Sequence, residues 1–555
     1  MTLFLSALAS SGLLYLCYFP AGMGWLAWFA LVPWLALARE PGRPRRLYLL
    51  CWLASLPFAF AVSQWLRVAD WRMYFVWLAG ALWVSAHFPL SLLLVRALDR
   101  RTRLPLALTL PLAWVSMEFM RGTFPGGLWT MLTGDQTHDL PRGFGWYFLG
   151  HTQQDHAEVI QVADLGGAYL VSALVASVNG LLFEVWLSRA GERRYRPFAL
   201  LVQALAVCAV LGSALAYGVW QLGRRTSEPG PRVALLQGNI DQRSRNEAWF
   251  AEDNARREEA FWKQWRQYTD LGDLAMKHAP DLVVWPETSE PRGWAELERG
   301  KPEQKSVDMV RQLTLRWPTA HLLGMNTTVR EADLKTLTDY NSALLALPGK
   351  GVVARYDKVH RVLFGEYIPG RASFFKWLMP YDTDYGIESG TGFPPLRLKE
   401  WTFGAMICYE ATDPSIARAY ARQGADFLVN ISNEGWFDGT SEHEEGLAIT
   451  RFRAVETRRA VVRAVNMGIS AVIDANGRVV ECAQPVASLS AWTDAGTGRS
   501  LPVNEWGRFK KSALVVVAQV PLDTRGSLYA WWGDTFALSS WAVLVLLLAL
   551  GRNPR

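Results

Sequence analysis

Eight apolar stretches, at residues 3–19, 22–38, 47–66, 73–95, 104–120, 160–187, 198–222 and 535–551, constrain this chain more than any other feature of its sequence. Most approach or exceed the about 17–25 apolar residues a helix needs to cross a bilayer, so seven spans are expected before residue 222 and one near the C-terminus. The first stretch is read as a membrane helix and not as a secretory signal: Met1 and Thr2 give it no basic flank, and a second apolar run follows Phe19, Pro20 and Ala21. Five cysteines occur, at 17, 51, 208, 408 and 482, the first three inside apolar runs, so neither a disulfide framework nor a zinc cluster is expected.

Charge counting orients the spans, because Lys and Arg in short loops stay on the cytoplasmic side. Loops 39–46, 96–103 and 188–197 hold four arginines each, whereas the alternate loops hold Arg67 and Arg72, and Arg121 and Arg142. Both termini are therefore expected in the cytoplasm and the segment 223–533 on the outer side. The formal charge of the chain is +6, a balance that by itself leaves nucleic acid, an acidic membrane and cationic loops all open. Its distribution decides: 223–533 holds 39 Lys and Arg against 39 Asp and Glu, so the excess lies in the membrane part and no nucleic-acid partner is expected.

Segment 223–533 changes character. Short apolar runs such as RVALLQGN, DLVVWPE, FGAMICYE, DFLVNISN and ALVVVAQV alternate with polar helical stretches such as 251–278, the rhythm of an α/β domain. The expected division is 1–222 as a membrane domain, 223–533 as an outer α/β domain entered through GRRTSEPGP, and 534–555 as the eighth helix with a cytoplasmic tail. Three of its strings end expected strands on a reactive residue: Glu287 in VVWPET, Lys358 in YDKVH and Cys408 in AMICYE. The carboxyl ends of parallel strands are where distant side chains converge. A carboxylate to take the thiol proton, a thiolate to attack a carbonyl and an ammonium to steady the negative charge make a complete acyl-transfer set without histidine. A neighbouring cation also lowers a thiol pKa, which leads to the expectation of an acidified Cys408.

This ordered series, with YNSALLAL, YDKVHRVLFGEYIP, NISNEGWF and FRAVETRRAVVRAVNMGISAVID around it and WVSMEFMRG, WYFLGHTQ and VADLGGAYLVS in the membrane half, resembles the nitrilase (carbon–nitrogen hydrolase) superfamily and, within it, the membrane-anchored apolipoprotein N-acyltransferases. The resemblance implies a bundle of eight transmembrane helices carrying an αββα sandwich. It implies Glu287 as general base, Lys358 as stabiliser of thiolate and oxyanion, and Cys408 as the nucleophile that holds an acyl group as a thioester. Glu366 and Glu410 are implied as supporting carboxylates, the backbone amide of Tyr409 as an oxyanion donor, and Asn341 and Trp436 as residues that shape the pocket. The implied reaction is ping-pong: a glycerophospholipid, typically phosphatidylethanolamine, gives its acyl chain to Cys408, and the α-amino group of a lipoprotein's diacylglyceryl-cysteine takes it, the last step of lipoprotein maturation. A bacterial inner membrane, a monomer, no cofactor and no metal complete the expectation.

Other groups read more plainly. His138, His151 and His156 near Asp135, Asp139 and Asp155 match no metal-ligand spacing and read as a polar loop. Arg451, Arg453, Arg458 and Arg459 read as a solvated, salt-bridged helix face. Glu118 and Arg121 stand near the outer end of the fifth stretch, where an ionisable residue is either functional or reaching for the interface. The chain departs from the family pattern at Leu363, where Pro is common, at NMG 466–468, and after LLQGNI, where Asn246 or Trp249 would line the acyl pocket. Loop 121–159 is longer than a minimal member requires.

Overall fold

The structure, a computed structural model, describes all residues except 42–43, 136–139, 192–194, 243–252, 332–335, 369–385, 481–482, 486–506, 508 and 552–555. His138, Asp139, Asn246 and Trp249 lie outside the described residues.

The N-terminal half is helical: α1 (Thr2–Cys17), α2 (Ala27–Ala30), α3 (Val32–Arg39), α4 (Pro44–Val62), α5 (Met73–Arg101), α6 (Leu106–Thr123), α7 (Gly126–Thr133), α8 (Ala157–Ile160), α9 (Ala163–Arg189) and α10 (Pro197–Gly223), with a last helix at Thr535–Leu550. All eight apolar stretches are helical. The second is broken at Leu31, where Pro33 in the first turn of α3 starts a new helix. Among the described residues, α4 from Arg45, α5, α9 and α10 are long and apolar enough to cross a membrane, whereas Thr2–Cys17, Gly24–Arg39 and Thr535–Leu550 are shorter apolar helices. On α10, Phe198, Leu201, Val202, Leu205, Val210, Val219 and Trp220 are all exposed, an apolar face that water does not favour.

The α/β part follows α10 after three residues. Along the chain run β1 (Ser227–Gln237), β2 (Leu282–Val284), β3 (Trp294–Glu298), β4 (Lys301–Pro302), β5 (Ala320–Arg330), β6 (Leu337–Leu347), β7 (Gly351–Asp357), β8 (Leu396–Leu398), β9 (Trp401–Ile407), β10 (Phe427–Ser432), β11 (Ala460–Val465), β12 (Ala471–Ile473), β13 (Val479–Val480), β14 (Ala483–Pro485) and β15 (Leu514–Asp523). One sheet has the order β14-β15-β1-β2-β5-β3-β4, with β6 between β5 and β7; the other runs β13-β12-β11-β10-β9-β8. The strands β9, β10 and β11 are parallel, and β10 and β11 are buried at every position, which is why they are mostly apolar, with Asn430 and Arg463 as buried polar exceptions within them. Val233, Leu235, Leu282 and Val284 of one sheet meet Phe403, Ala405, Ile407, Val429 and Val462 of the other in a single core. Helices Asn254–Met276 and Gln304–Arg316 cover the first sheet through Tyr268, Leu271, Met309 and Leu313. Helices Pro414–Arg422 and Glu442–Thr457 cover the second through Ile416, Tyr420, Leu447 and Ala448. This is an αββα sandwich, the layering the sequence implies.

The sandwich sits on the helices through buried polar contacts, and here one expectation fails. Arg451, Arg453 and Arg458 are buried, not solvated: the helix Glu442–Thr457 lies between the sheet and the bundle, so the face that faces water in an isolated domain faces α9 and its approach instead. Arg458 Nη2 pairs with Asp164 Oδ2 at 2.6 Å and its Nη1 donates to Gln161 Oε1. Arg451 reaches the backbone oxygen of Gln154, and Arg453 pairs with Glu456, which accepts from Ala168 N at 3.0 Å. Arg418 pairs with Asp534 at 2.7 Å, and Glu445 Oε1 accepts from Phe19 N at 2.8 Å.

Breaking one partner of a buried pair leaves an uncompensated charge. Arg458→Ala is expected to lower the stability of the detergent-solubilised protein by about 3–5 kcal/mol. Arg458→Gln together with Asp164→Asn, which removes both charges, recovers most of that. Thermal unfolding of the three proteins checks this, and a single variant as stable as the parent contradicts it.

Candidate functional site

Cys408 directly follows β9 and begins a tight turn, Cys408–Thr412, with its own φ at +54°. A non-glycine residue in that region is strained and persists only where its surroundings hold it. What holds it is Glu410, fully buried, whose Oε2 accepts from Ile407 N at 2.7 Å while Oε1 accepts from Val359 N, His360 N and the Tyr356 hydroxyl at 2.7–3.0 Å. Glu410 therefore ties the backbone before the thiol to the backbone after Lys358.

Lys358 follows β7, and its backbone N–H donates to Asn341 O on β6 at 2.8 Å. Its ammonium is buried, 2.8 Å from Glu366 Oε1 and 3.4 Å from Glu287 Oε1. Asn341 joins the two carboxylates, its Nδ2 donating to Glu287 Oε1 at 2.6 Å and to Glu366 Oε1 at 3.1 Å. The remaining oxygens are also used: Glu366 Oε2 accepts from Val362 N at 2.7 Å, and Glu287 Oε2 from Asn433 N at 2.8 Å. The loop carrying Glu287 lies flat on β5 at Gly324, where any Cβ would stand 2.0 Å from Pro286 O. The structure thus brings together Glu287, Lys358, Glu366 and Cys408, from the segments that follow β2, β7 and β9, with Asn341 from within β6.

Burial works against the Lys358 charge, but Glu366 and Glu287 outweigh it and hold its pKa well above the ordinary lysine value. Cys408 responds in the other direction. Burial and Glu287 push the thiol up, Lys358 and a hydrogen bond from Ser432 pull it down, and the first two win, leaving it at about 12. The expectation of an acidified thiol is thus corrected: the cation is present, but a carboxylate and desolvation oppose it, and the resting group is a neutral thiol.

Tyr409 points away from the thiol, its hydroxyl donating to Gly143 O at 2.6 Å. The long loop 121–159 therefore rests against the residue that follows Cys408. Trp436, on the turn Glu434–Phe437, is half-buried and lines a cavity of about 840 Å³ that also takes in Glu287, Asn341, Lys358, Glu366 and Cys408. The opposite wall belongs to the helical half: Trp65, Met73, Trp83, Phe124, Phe144 and Trp146. Trp65 packs edge-on against Phe437 at 4.8 Å. Trp83 and Phe124 stack on each other at the outer surface, both about two-fifths exposed, so the cavity reaches the apolar outside of the bundle.

Sequence reasoning missed this bundle wall, the Asn433 amide that steadies Glu287, and the Arg463–Glu434 pair lining the same cavity. Asn433 and Glu434 stand in the string NISNEGWF, which marked the region but not their partners. Glu118 and Arg121 are both buried; Glu118 Oε1 accepts from Leu149 N at 2.6 Å and Arg121 donates to the Tyr147 backbone oxygen at 3.0 Å, so they hold the chain entering the cavity wall.

Known proteins share both halves. Residues 10–181 match the model of the apolipoprotein N-acyltransferase N-terminal domain, and residues 232–495 that of the carbon-nitrogen hydrolases. The apolipoprotein N-acyltransferase of Geobacter metallireducens is 30% identical over 492 residues, 86% of each chain. That of Gloeobacter violaceus is 28% identical over 556 residues, covering 96% of this chain and 91% of its own. Among solved structures, an amidase from Nesterenkonia sp. is 16% identical and overlaps 57% of this chain and 98% of its own at a TM-score of 0.32. Matched at this identity along most of both chains, with the N-terminal and hydrolase models in the same order, this chain belongs to the apolipoprotein N-acyltransferase family.

Proposed function

We propose that the chain is an integral membrane N-acyltransferase that moves an acyl chain from a glycerophospholipid to the α-amino group of a lipoprotein's diacylglyceryl-cysteine. One observation carries the reading: the nucleophile candidate lies in a cavity whose far wall is made of aromatic side chains of the helical half and reaches that half's apolar surface. A small soluble amide needs no such wall; a lipid chain does.

In the first half-reaction Cys408 Sγ attacks the ester carbonyl of the phospholipid as Glu287 takes the thiol proton. The Lys358 ammonium and the Tyr409 backbone N–H steady the oxyanion. The ester C–O bond then breaks, Glu287 returns the proton to the leaving lysophospholipid oxygen, and the acyl group stays on Cys408 as a thioester. In the second, the neutral amine of the acceptor attacks the thioester, Glu287 takes a proton from it, and Sγ leaves and is reprotonated as the amide forms. Glu366 and Asn341 position Lys358 and Glu287, Glu410 positions the backbone of both Lys358 and Cys408, and Trp436 shapes the pocket.

The proposed placement is eight spans in a bacterial inner membrane, residues 1–222 and 534–555 in the bilayer and 223–533 outside, as a monomer. Its support is spatial. Arg39 pairs with Asp99 at 3.2 Å and with Glu184, Arg101 reaches Leu548 O, and Tyr195 donates to Arg103 O, so the arginine-rich loops share one end of the bundle. The sandwich contacts Phe19, Gly143, Asp164 and Gln221 at the other.

Two outcomes are expected. Protein incubated with acyl-labelled phospholipid retains hydroxylamine-sensitive label, a diacylated lipopeptide discharges it to a triacylated product seen by mass, and Cys408→Ala lowers turnover by more than about 10³-fold. Label retained on Cys408→Ala, or discharge to free fatty acid alone, contradicts the reading. Glu287→Gln is equally inactive, yet its Cys408 is alkylated by iodoacetamide faster than the parent's at mildly alkaline pH, because a charge that raises the thiol pKa has gone. Unchanged or slower alkylation, read from the Cys408 peptide, removes Glu287 as the thiol's neighbour.

A further inference from the structure

Three buried ligand-bearing side chains that take no part in the proposed reaction meet at the start of the helix Glu442–Thr457. Glu434, on the turn after β10, and Glu442 and His443, in the first turn of the helix, bring ligand atoms within 4.8 Å of one another. Their hydrogen-bond chemistry is one-sided. His443 Nε2 lies 3.1 Å from the backbone oxygen of Glu434. A carbonyl only accepts, so the proton sits on Nε2 and Nδ1 presents its lone pair. Nδ1, Glu434 Oε2 and Glu442 Oε2 are buried acceptors with no hydrogen-bond partner among the described residues, Glu442 Oε2 standing 4.0 Å from Nε2. Such an arrangement is costly in a packed interior unless something positive completes it.

The neighbours sharpen this. Arg463 holds Glu434 by Oε1, which leaves Oε2 turned toward His443. Both Glu434 Oε2 and His443 Nδ1 face Gly468, whose φ is +134°; a Cβ there would stand 2.6 Å from the first and 3.4 Å from the second. The neighbouring cations are engaged on other oxygens, Arg463 on Glu434 Oε1 and Lys510 on Glu444 at 2.8 Å.

We propose that Glu434, Glu442 and His443 bind one divalent cation of the class that takes imidazole and carboxylate together, Zn²⁺ before Mn²⁺ and well before Mg²⁺. An imidazole whose other ring nitrogen donates to a backbone carbonyl is already oriented as metal-bound histidines are. The cation clamps the turn Glu434–Phe437 to the helix Glu442–Thr457. Asn433, one residue before that turn, donates to Glu287, so the clamp also steadies the carboxylate beside Lys358. No spaced motif announces the trio, because its members are joined by the turn and not by a regular repeat.

The test uses the full chain in detergent, freed of any affinity histidines, stripped with a chelator and dialysed separately against Zn²⁺, Mn²⁺ and Mg²⁺. Metal content by mass spectrometry and the unfolding temperature are read on each. About one Zn²⁺ per chain and a higher unfolding temperature on reloading are expected. Glu442→Gln and His443→Gln lose both effects, and Glu444→Gln, next to the trio but outside it, keeps both. No retained Zn²⁺, equal retention of Mg²⁺, or retention unchanged in Glu442→Gln and His443→Gln overturns the proposal. The parent's response to stripping and reloading decides alone if a variant fails to fold.

Discussion

A lysine ammonium closed off from solvent is the constraint on which the site depends. Lys358 cannot shed its proton cheaply with two carboxylates beside it, and it cannot remain charged without them. Each carboxylate is then obliged to satisfy its own remaining oxygen. Glu287 does so on the Asn433 amide, Glu366 on the Val362 amide, and Asn341 bridges the two. One buried charge thereby fixes loops after β2, β7 and β10, and Glu410 adds the turn after β9. In a network of this kind each unpaired member is costly, and here the outer oxygen of each carboxylate is held by a backbone amide, which cannot rotate away.

The same economy governs how the sandwich meets the helices. Apolar contact is present there: Tyr409, Phe437 and Ile449 pack into the bundle's own core. Apolar contact is non-directional, however, and tolerates sliding. The buried Arg458–Asp164 and Arg418–Asp534 pairs, and the Glu445 carboxylate on Phe19 N, accept one relative placement only. Placement matters because the cavity has one wall from each half. A shift of a few ångströms would part Trp65 from Phe437 and Gly143 from Tyr409 while leaving each half intact.

Much of this was legible in the residues. The apolar runs became helices and the strand strings became β1, β2, β9, β10 and β15, because length, period and burial on both faces leave a strong mark on composition. Glu287, Lys358 and Cys408 were legible because each closes such a run. What failed to show depends on a partner remote in sequence. The arginines at 451–458 look solvated until α9 is laid against them, and Cys408 looks acidified until burial and Glu287 are counted with Lys358. The role of loop 121–159 was open for the same reason: nothing in GGLWTMLTGDQTHDLPRGFG foretells that Gly143 accepts from the residue after Cys408.

The high thiol pKa bears on how such a site works inside an apolar cavity. A standing thiolate would be one more charge to desolvate on arrival of the proposed lipid chain, and desolvation is what an apolar cavity imposes. With a neutral thiol, the proposed cycle only passes a proton along: from Sγ to Glu287, from Glu287 to the leaving oxygen, and later from the amine back to Sγ. The cluster of Lys358, Glu287, Glu366 and Cys408 keeps one net charge at rest, as the thioester and after discharge. The ammonium gains its partner oxyanion only in the transition state, where a fixed charge accelerates a reaction most.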